Sequence, residues 1–185
     1  MTDHAPTLAP RRQALLAGLA GLTGTALPAL AQNTATSTSA TLPVVLPRTE
    51  FVYESIVDIA PVQPLGVSPY GERRIVPITG GTFEGPALRG KVLAGGADRQ
   101  LVRRDGAVNL DAVYELQTDD GVIISVRNRV LSRRPVDKPP YVFSTLELIA
   151  PEGPYGWIND YVYVGTLNSL RPKRDAVVIR VYKVV

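Results

Sequence analysis

Past residue 48 the chain settles into a period of two. Apolar and polar residues alternate in short runs, and Gly, Pro, Asn or Asp clusters separate one run from the next. Runs of this kind are predicted over residues 49–58, 73–78, 108–118, 121–131, 141–149, 156–166 and 176–185. The runs at 108–118 and 121–131 meet at Asp119-Asp120-Gly121, the clearest hairpin signal in the sequence. Beyond residue 40 no apolar period of 3.6 lasts long enough to demand a helix. About eight short strands joined by turns predict an all-β fold, a single antiparallel β-barrel or sandwich, with the barrel preferred.

Alternation also sorts side chains onto faces. In the first arm of the hairpin Leu110, Ala112, Tyr114 and Leu116 share one face, with Asp111, Val113, Glu115 and Gln117 on the other. In the second arm Val122, Ile124, Val126, Asn128 and Val130 form an apolar row broken by one amide. The apolar rows are expected to face inward, which puts Tyr114 and Asn128 in an apolar wall. Buried polar groups need partners, so two readings stay open. The pair satisfies itself or nearby backbone, or it marks a small-molecule site of convergent polar groups in an apolar pocket. Over 156–166 the same alternation predicts a strand presenting Tyr155, Trp157, Asn159, Tyr161 and Tyr163 on one side. Such an aromatic row either closes a barrel or stacks on a flat ligand.

The stretch 79–100 (TGGTFEGPALRGKVLAGGADRQ) carries two glycine pairs, Gly80-Gly81 and Gly95-Gly96, and a turn at Gly85-Pro86 between two short strands. Neither pair opens a helix and no phosphate-cradling motif is present, so a nucleotide loop is excluded. Asp98 follows the second pair and is either a turn-capping carboxylate or a chemical group at a barrel mouth.

Composition narrows the chemistry. The chain has no cysteine, and its one histidine and one methionine are His4 and Met1. Both fall in an N-terminal segment that reads as an export signal. Arg11-Arg12 precedes an uncharged run over 14–27, and Pro28-Ala29-Leu30-Ala31 supplies small residues for cleavage after Ala31. The paired arginines resemble a twin-arginine signal. A stable membrane anchor is disfavoured, because a spanning helix wants about 20 predominantly apolar residues and this run is short, Gly- and Ala-rich and broken by Pro28. The sequence thus predicts a signal over 1–31, a flexible polar leader over 32–48 and a barrel domain over 49–185. It also predicts a periplasmic or secreted protein that engages the twin-arginine export machinery.

Once the signal is gone, no imidazole base, thiolate nucleophile or soft metal ligand remains. Carboxylates, tyrosines, amides, lysines and arginines are what is left, and neither cofactor nor metal is expected. An all-oxygen calcium or magnesium site is the one metal chemistry those residues leave open. Setting aside Arg11, Arg12 and Asp3 reduces the 20 basic and 17 acidic residues to 18 and 16. That near balance argues against nucleic acid as a partner.

Three segments in combination resemble a known family. They are 78–100 (ITGGTFEGPALRGKVLAGGADRQ), 109–129 (NLDAVYELQTDDGVIISVRNR) and 155–165 (YGWINDYVYVG). Together they look like the uncharacterised family known as domain of unknown function 3237, over almost all of the chain from about residue 51. The resemblance implies a small antiparallel β-barrel. It places the family's GGAD motif on residues 95–98, its LDA-x-Y segment on Leu110, Asp111, Ala112 and Tyr114, its TDDG turn on 118–121, and its W-x-N pattern on Trp157 and Asn159. Family members often carry tryptophan after GGAD, where this chain has Arg99. Membership implies no activity.

Three functional readings follow. The first is a barrel that binds a small aromatic or apolar molecule, with Asn128, Glu147, Trp157 and Asn159 as candidate ligand-binding residues beside Tyr114. The second is a cofactor-independent lyase, isomerase or hydrolase. There Asp98 or Asp111 acts as general base, Tyr114 as acid or oxyanion donor, and Asn128 or Asn159 as an orienting amide. An ordinary carboxylate is a feeble base at neutral pH, so that reading requires burial to raise one of them. The third is a structural protein whose barrel is filled by its own side chains.

Overall fold

The computed structural model describes residues 45–185; the export signal expected over 1–31 and most of the expected leader lie outside the described residues. Ten strands follow in order: β1 (Thr49–Ile59), β2 (Gln63–Ser68), β3 (Gly71–Glu84), β4 (Arg89–Val92), β5 (Ala97–Arg103), β6 (Val108–Thr118), β7 (Ile123–Arg133), β8 (Tyr141–Ile149), β9 (Tyr163–Ser169) and β10 (Ala176–Val184). All pairings are antiparallel, running β1-β10-β9-β8-β7-β6, then through β4 and β5 to β3, which pairs back onto β1. β4 and β5 share one place in the wall. β4 bridges residues 81–84 of β3 to 116–118 of β6, while β5 bridges 71–77 of β3 to 108–113 of β6. The result is a closed barrel of eight strand positions, with β2 added as a flap on the first half of β3.

Closure depends on a close approach between β1 and β3. A Cβ on Gly81 would sit 2.0 Å from the Ile56 carbonyl oxygen, and the residue's φ is +141°. Only glycine meets both conditions without strain.

Alternation sets the inside and outside as expected. Ile124, Val126, Asn128 and Val130 are buried on β7, whereas Ile123, Ser125, Arg127 and Arg129 are exposed. Along the outer surface opposite charges pair across strands, as in Asp111 with Arg127 and Glu54 with Arg180, and Asp58 of β1 pairs with Arg174 of the β9–β10 loop. Such exposed pairs add little stability. The core supplies more, each fully buried large apolar side chain contributing about 1.5–3 kcal/mol.

One expected strand is corrected. Residues 156–160 are not extended: Gly156–Asp160 forms a single 3₁₀ turn, and the strand begins only at Tyr163. Asn159 explains the difference. Its Oδ1 accepts from the Ala150 amide at 3.0 Å, and its Nδ2 donates to the carbonyls of Ala150 at 3.0 Å and Gly156 at 3.1 Å. Side-chain bonds to local backbone thus take the place of a ladder. The turn drives Ile158, with no exposed surface, into the core, where the Tyr163 hydroxyl donates to the Ile158 carbonyl at 2.7 Å. It caps one end of the barrel over Tyr53, Leu116, Ile124 and Leu148. The other end is hollow.

Candidate functional site

The hollow end contains a cavity of about 240 Å³. Its polar side comes from three adjacent strands whose inward rows are in register. Asp98 on β5 lies opposite Ala112 on β6, and Ala112 lies opposite Asn128 on β7. Tyr114 follows Ala112 on the same face, and Gln100 follows Asp98. Because residue 112 is only alanine, space is left between Asp98 and Asn128. Elsewhere the wall is aliphatic, with Val57, Val76, Ile78, Val130, Leu167 and Ile179 among its residues.

Asp98 is held rather than free. One carboxylate oxygen accepts from Gln100 Nε2 at 2.6 Å and the other from the Asp111 backbone amide at 3.1 Å. Burial raises its pKa above the ordinary value, and those two hydrogen bonds pull against that rise without cancelling it. It lies within a strand, so the turn-capping alternative does not apply.

Tyr114 and Asn128 sit deeper. Neither the Tyr114 hydroxyl nor either polar atom of the Asn128 amide has a hydrogen-bond partner in the protein, and the hydroxyls of Tyr53, Ser55 and Ser144 are likewise buried and unpaired. The Tyr114 hydroxyl nonetheless lies beside those of Tyr53 and Ser55, close enough for weak hydrogen bonds among them, so of the two the Asn128 amide is the one left wholly without a partner. Desolvation raises the pKa of both Tyr53 and Tyr114, so both stay protonated and able to donate. An unmet buried polar group costs about 1–3 kcal/mol. Several such groups inside one small barrel are a feature that packing alone would select against.

The other candidate residues lie elsewhere. Asp111 is on the outer face of β6, where the Arg127 guanidinium binds its two oxygens at 2.9 and 2.7 Å and lowers its pKa. Glu147 is exposed on β8, opposite Arg127 in register. Trp157 and Asn159 belong to the turn at the capped end, remote from the cavity, with Trp157 packed on the core and Asn159 holding the turn together. The structure therefore gathers Asp98, Tyr114 and Asn128 in one cavity and leaves the other four outside it.

Four further polar residues line the cavity: Arg74, Gln100, Ser169 and Arg171. Arg74 shares the inward face of β3 with Val76 and Ile78, so alternation within 73–78 carried the signal. Arg171 lies in the loop between β9 and β10, where no periodicity operates. Beyond the cavity the mouth widens into a vestibule of about 620 Å³, lined in part by Gln100, Leu110, Arg134, Leu167 and Arg171. Among the described residues no three His, Asp or Glu side chains gather as they would to hold a metal ion.

A closed antiparallel barrel, capped at one end and hollow at the other, defines the class: a small β-barrel with an internal cavity reached from one side. The chain belongs to the DUF3237 family, proteins of unknown function, whose profile matches residues 47–184. A UPF0311 protein of Rhodopseudomonas palustris is 35% identical over 151 residues, covering 75% of this chain and 97% of its own length. Among solved structures, a beta-barrel like protein from Acinetobacter baumannii superposes with a TM-score of 0.71 at 33% identity, over 77% of this chain and 99% of that one. An enzyme from Penicillium herquei superposes with a TM-score of 0.63 at 22% identity, over 78% and 98% of the two chains, a likeness of fold alone.

Proposed function

We propose that the barrel binds a small, mainly apolar organic molecule in the cavity at its hollow end. The observation that carries this reading is the pairing of aliphatic walls with the buried, unpartnered amide of Asn128. Apolar walls supply affinity without direction, and a few polar groups fix orientation. The volume suits a ligand somewhat larger than benzene, which fits an engineered apolar cavity of about 150 Å³. On the sequence of residues 1–31, the same proposal places the protein outside the cytoplasm after twin-arginine export.

Native mass spectrometry of protein purified from its own host, together with thermal shift against single-ring aromatic and branched aliphatic compounds, tests the binding reading. A retained molecule, or a rise in Tm abolished by the cavity-filling Ala112→Phe substitution, supports it. No retained mass and no rise in Tm across the panel overturns it.

Asp98 favours a second reading, catalysis without a cofactor. A carboxylate whose pKa burial has raised is a better base near neutral pH than an exposed one. Tyr114, kept protonated, suits the stabilisation of a developing oxyanion better than proton release. Under this reading Asp98→Asn retains binding and loses turnover of the bound compound. Equal turnover in Asp98→Asn and wild type removes it.

A further inference from the structure

Resting on the binding reading above, we infer that the ligand is an organic monocarboxylate held with its charge outward, the carboxylate at Arg171 and Arg74 and the apolar body directed toward Tyr114 and Asn128.

The cavity is polarised along its depth. Its two cationic lining residues are Arg74 and Arg171, and Arg134 joins Arg171 in the vestibule outside. Neither cavity arginine is used up by its acidic neighbour. Arg74 engages Glu72 through Nε at 3.0 Å and Nη2 at 3.4 Å, and Arg171 engages Asp175 through Nε alone at 2.8 Å. A guanidinium has five N–H donors in a fixed fork, so each keeps donors for a second carboxylate. The Glu72 and Asp175 contacts hold the forks in place and lower the ordering cost of binding.

The deeper part is hostile to negative charge. Its polar groups include the Tyr114 hydroxyl and the Asn128 amide, and desolvation there opposes ionisation of Tyr114. The one carboxylate lining the cavity, Asp98, already has both oxygens engaged, by Gln100 and by the Asp111 amide. An anion inserted head first would carry its charge past Asp98 into the part lined by Tyr114, Asn128 and aliphatic side chains. Inserted tail first, it meets two guanidinium groups near solvent, where an ion keeps part of its hydration. The floor then receives a neutral group, and a carbonyl or hydroxyl fits the unpaired Asn128 amide best.

The test compares acids with their neutral isosteres: benzoate, phenylacetate, 3-phenylpropanoate and 4-methylpentanoate, each against its primary amide, by titration calorimetry at low salt. At least one acid should bind about tenfold or more tightly than its amide, a difference of about 1.4 kcal/mol. Arg171→Gln and Arg74→Gln should each erase most of that preference while leaving amide affinity and Tm nearly unchanged. If the amides bind as tightly as the acids, or the arginine variants weaken both alike, the charge-outward assignment fails and the binding reading stands. If neither series binds to wild type and Ala112→Phe gives identical heats, the binding reading fails as well.

Discussion

Gly96 lies directly against Tyr114. A Cβ on residue 96 would approach the Tyr114 Cβ to 2.5 Å and the Val113 carbonyl oxygen to 2.7 Å. The second glycine of the GGAD motif therefore lets the chain before β5 pass close against Tyr114 of β6, and Asp98 lies two residues further on. Gly96→Ala is expected to cost about 1–3 kcal/mol by overpacking. Chemical denaturation measures it directly, and a change near zero would show that β5 and β6 can part here without consequence.

Asp98 predicts an unusual dependence on pH. Burial raises its carboxyl above the ordinary 3.8, so the folded protein holds a proton that the unfolded chain has already released. The favourable contribution is complete below the unfolded value and is lost as pH climbs through the raised one. Asp98→Asn should accordingly raise Tm at pH 7, and the gain should vanish below about pH 4. A lower Tm for the variant at neutral pH would mean that the Gln100 and Asp111 bonds outweigh the desolvation of the charge.

The unpaired amide of Asn128 makes the opposite kind of forecast for stability and for binding. Replacing a buried, unsatisfied polar group by an apolar one of similar shape removes about 1–3 kcal/mol of desolvation cost. Asn128→Leu should raise Tm by several degrees while weakening any compound that stabilises the wild type. Thermal scans with and without that compound read both effects; a variant that binds unchanged would exclude the amide from recognition.

Asp111 and Glu147 supply the control. Both face outward around Arg127. Asp111→Asn and Glu147→Gln should change Tm slightly and leave binding or turnover as in wild type. Acidification should weaken the Asp111 pair, because Arg127 holds that carboxyl below its usual value and the stability it adds is lost as pH falls through the lowered one. Loss of binding in either variant would place the functional surface outside the barrel.

How far the sequence led is best seen on β6 and β7. Strict alternation there depends only on one face meeting the core, and it correctly put Tyr114 and Asn128 inside and Arg127 outside. The same rule misjudged 156–160, where Asn159 found backbone partners at Ala150 and Gly156 and bent the chain into a turn. Alternation alone could not group side chains from different strands. Asp111 is next to Ala112 in the chain yet points away from Asp98, whereas Arg74 enters the cavity from a strand more than twenty residues earlier than Asp98. Arg171 was beyond reach altogether, since its position follows from how a loop packs and no local pattern encodes that.

The 3₁₀ turn carrying Ile158 makes the barrel a cup instead of a pipe. Anything that reaches Tyr114 must leave by the doorway through which it arrived, past Arg74 and Arg171. Under the proposed binding function, occupants can only take turns, and how soon the next is admitted is set by how slowly the last departs.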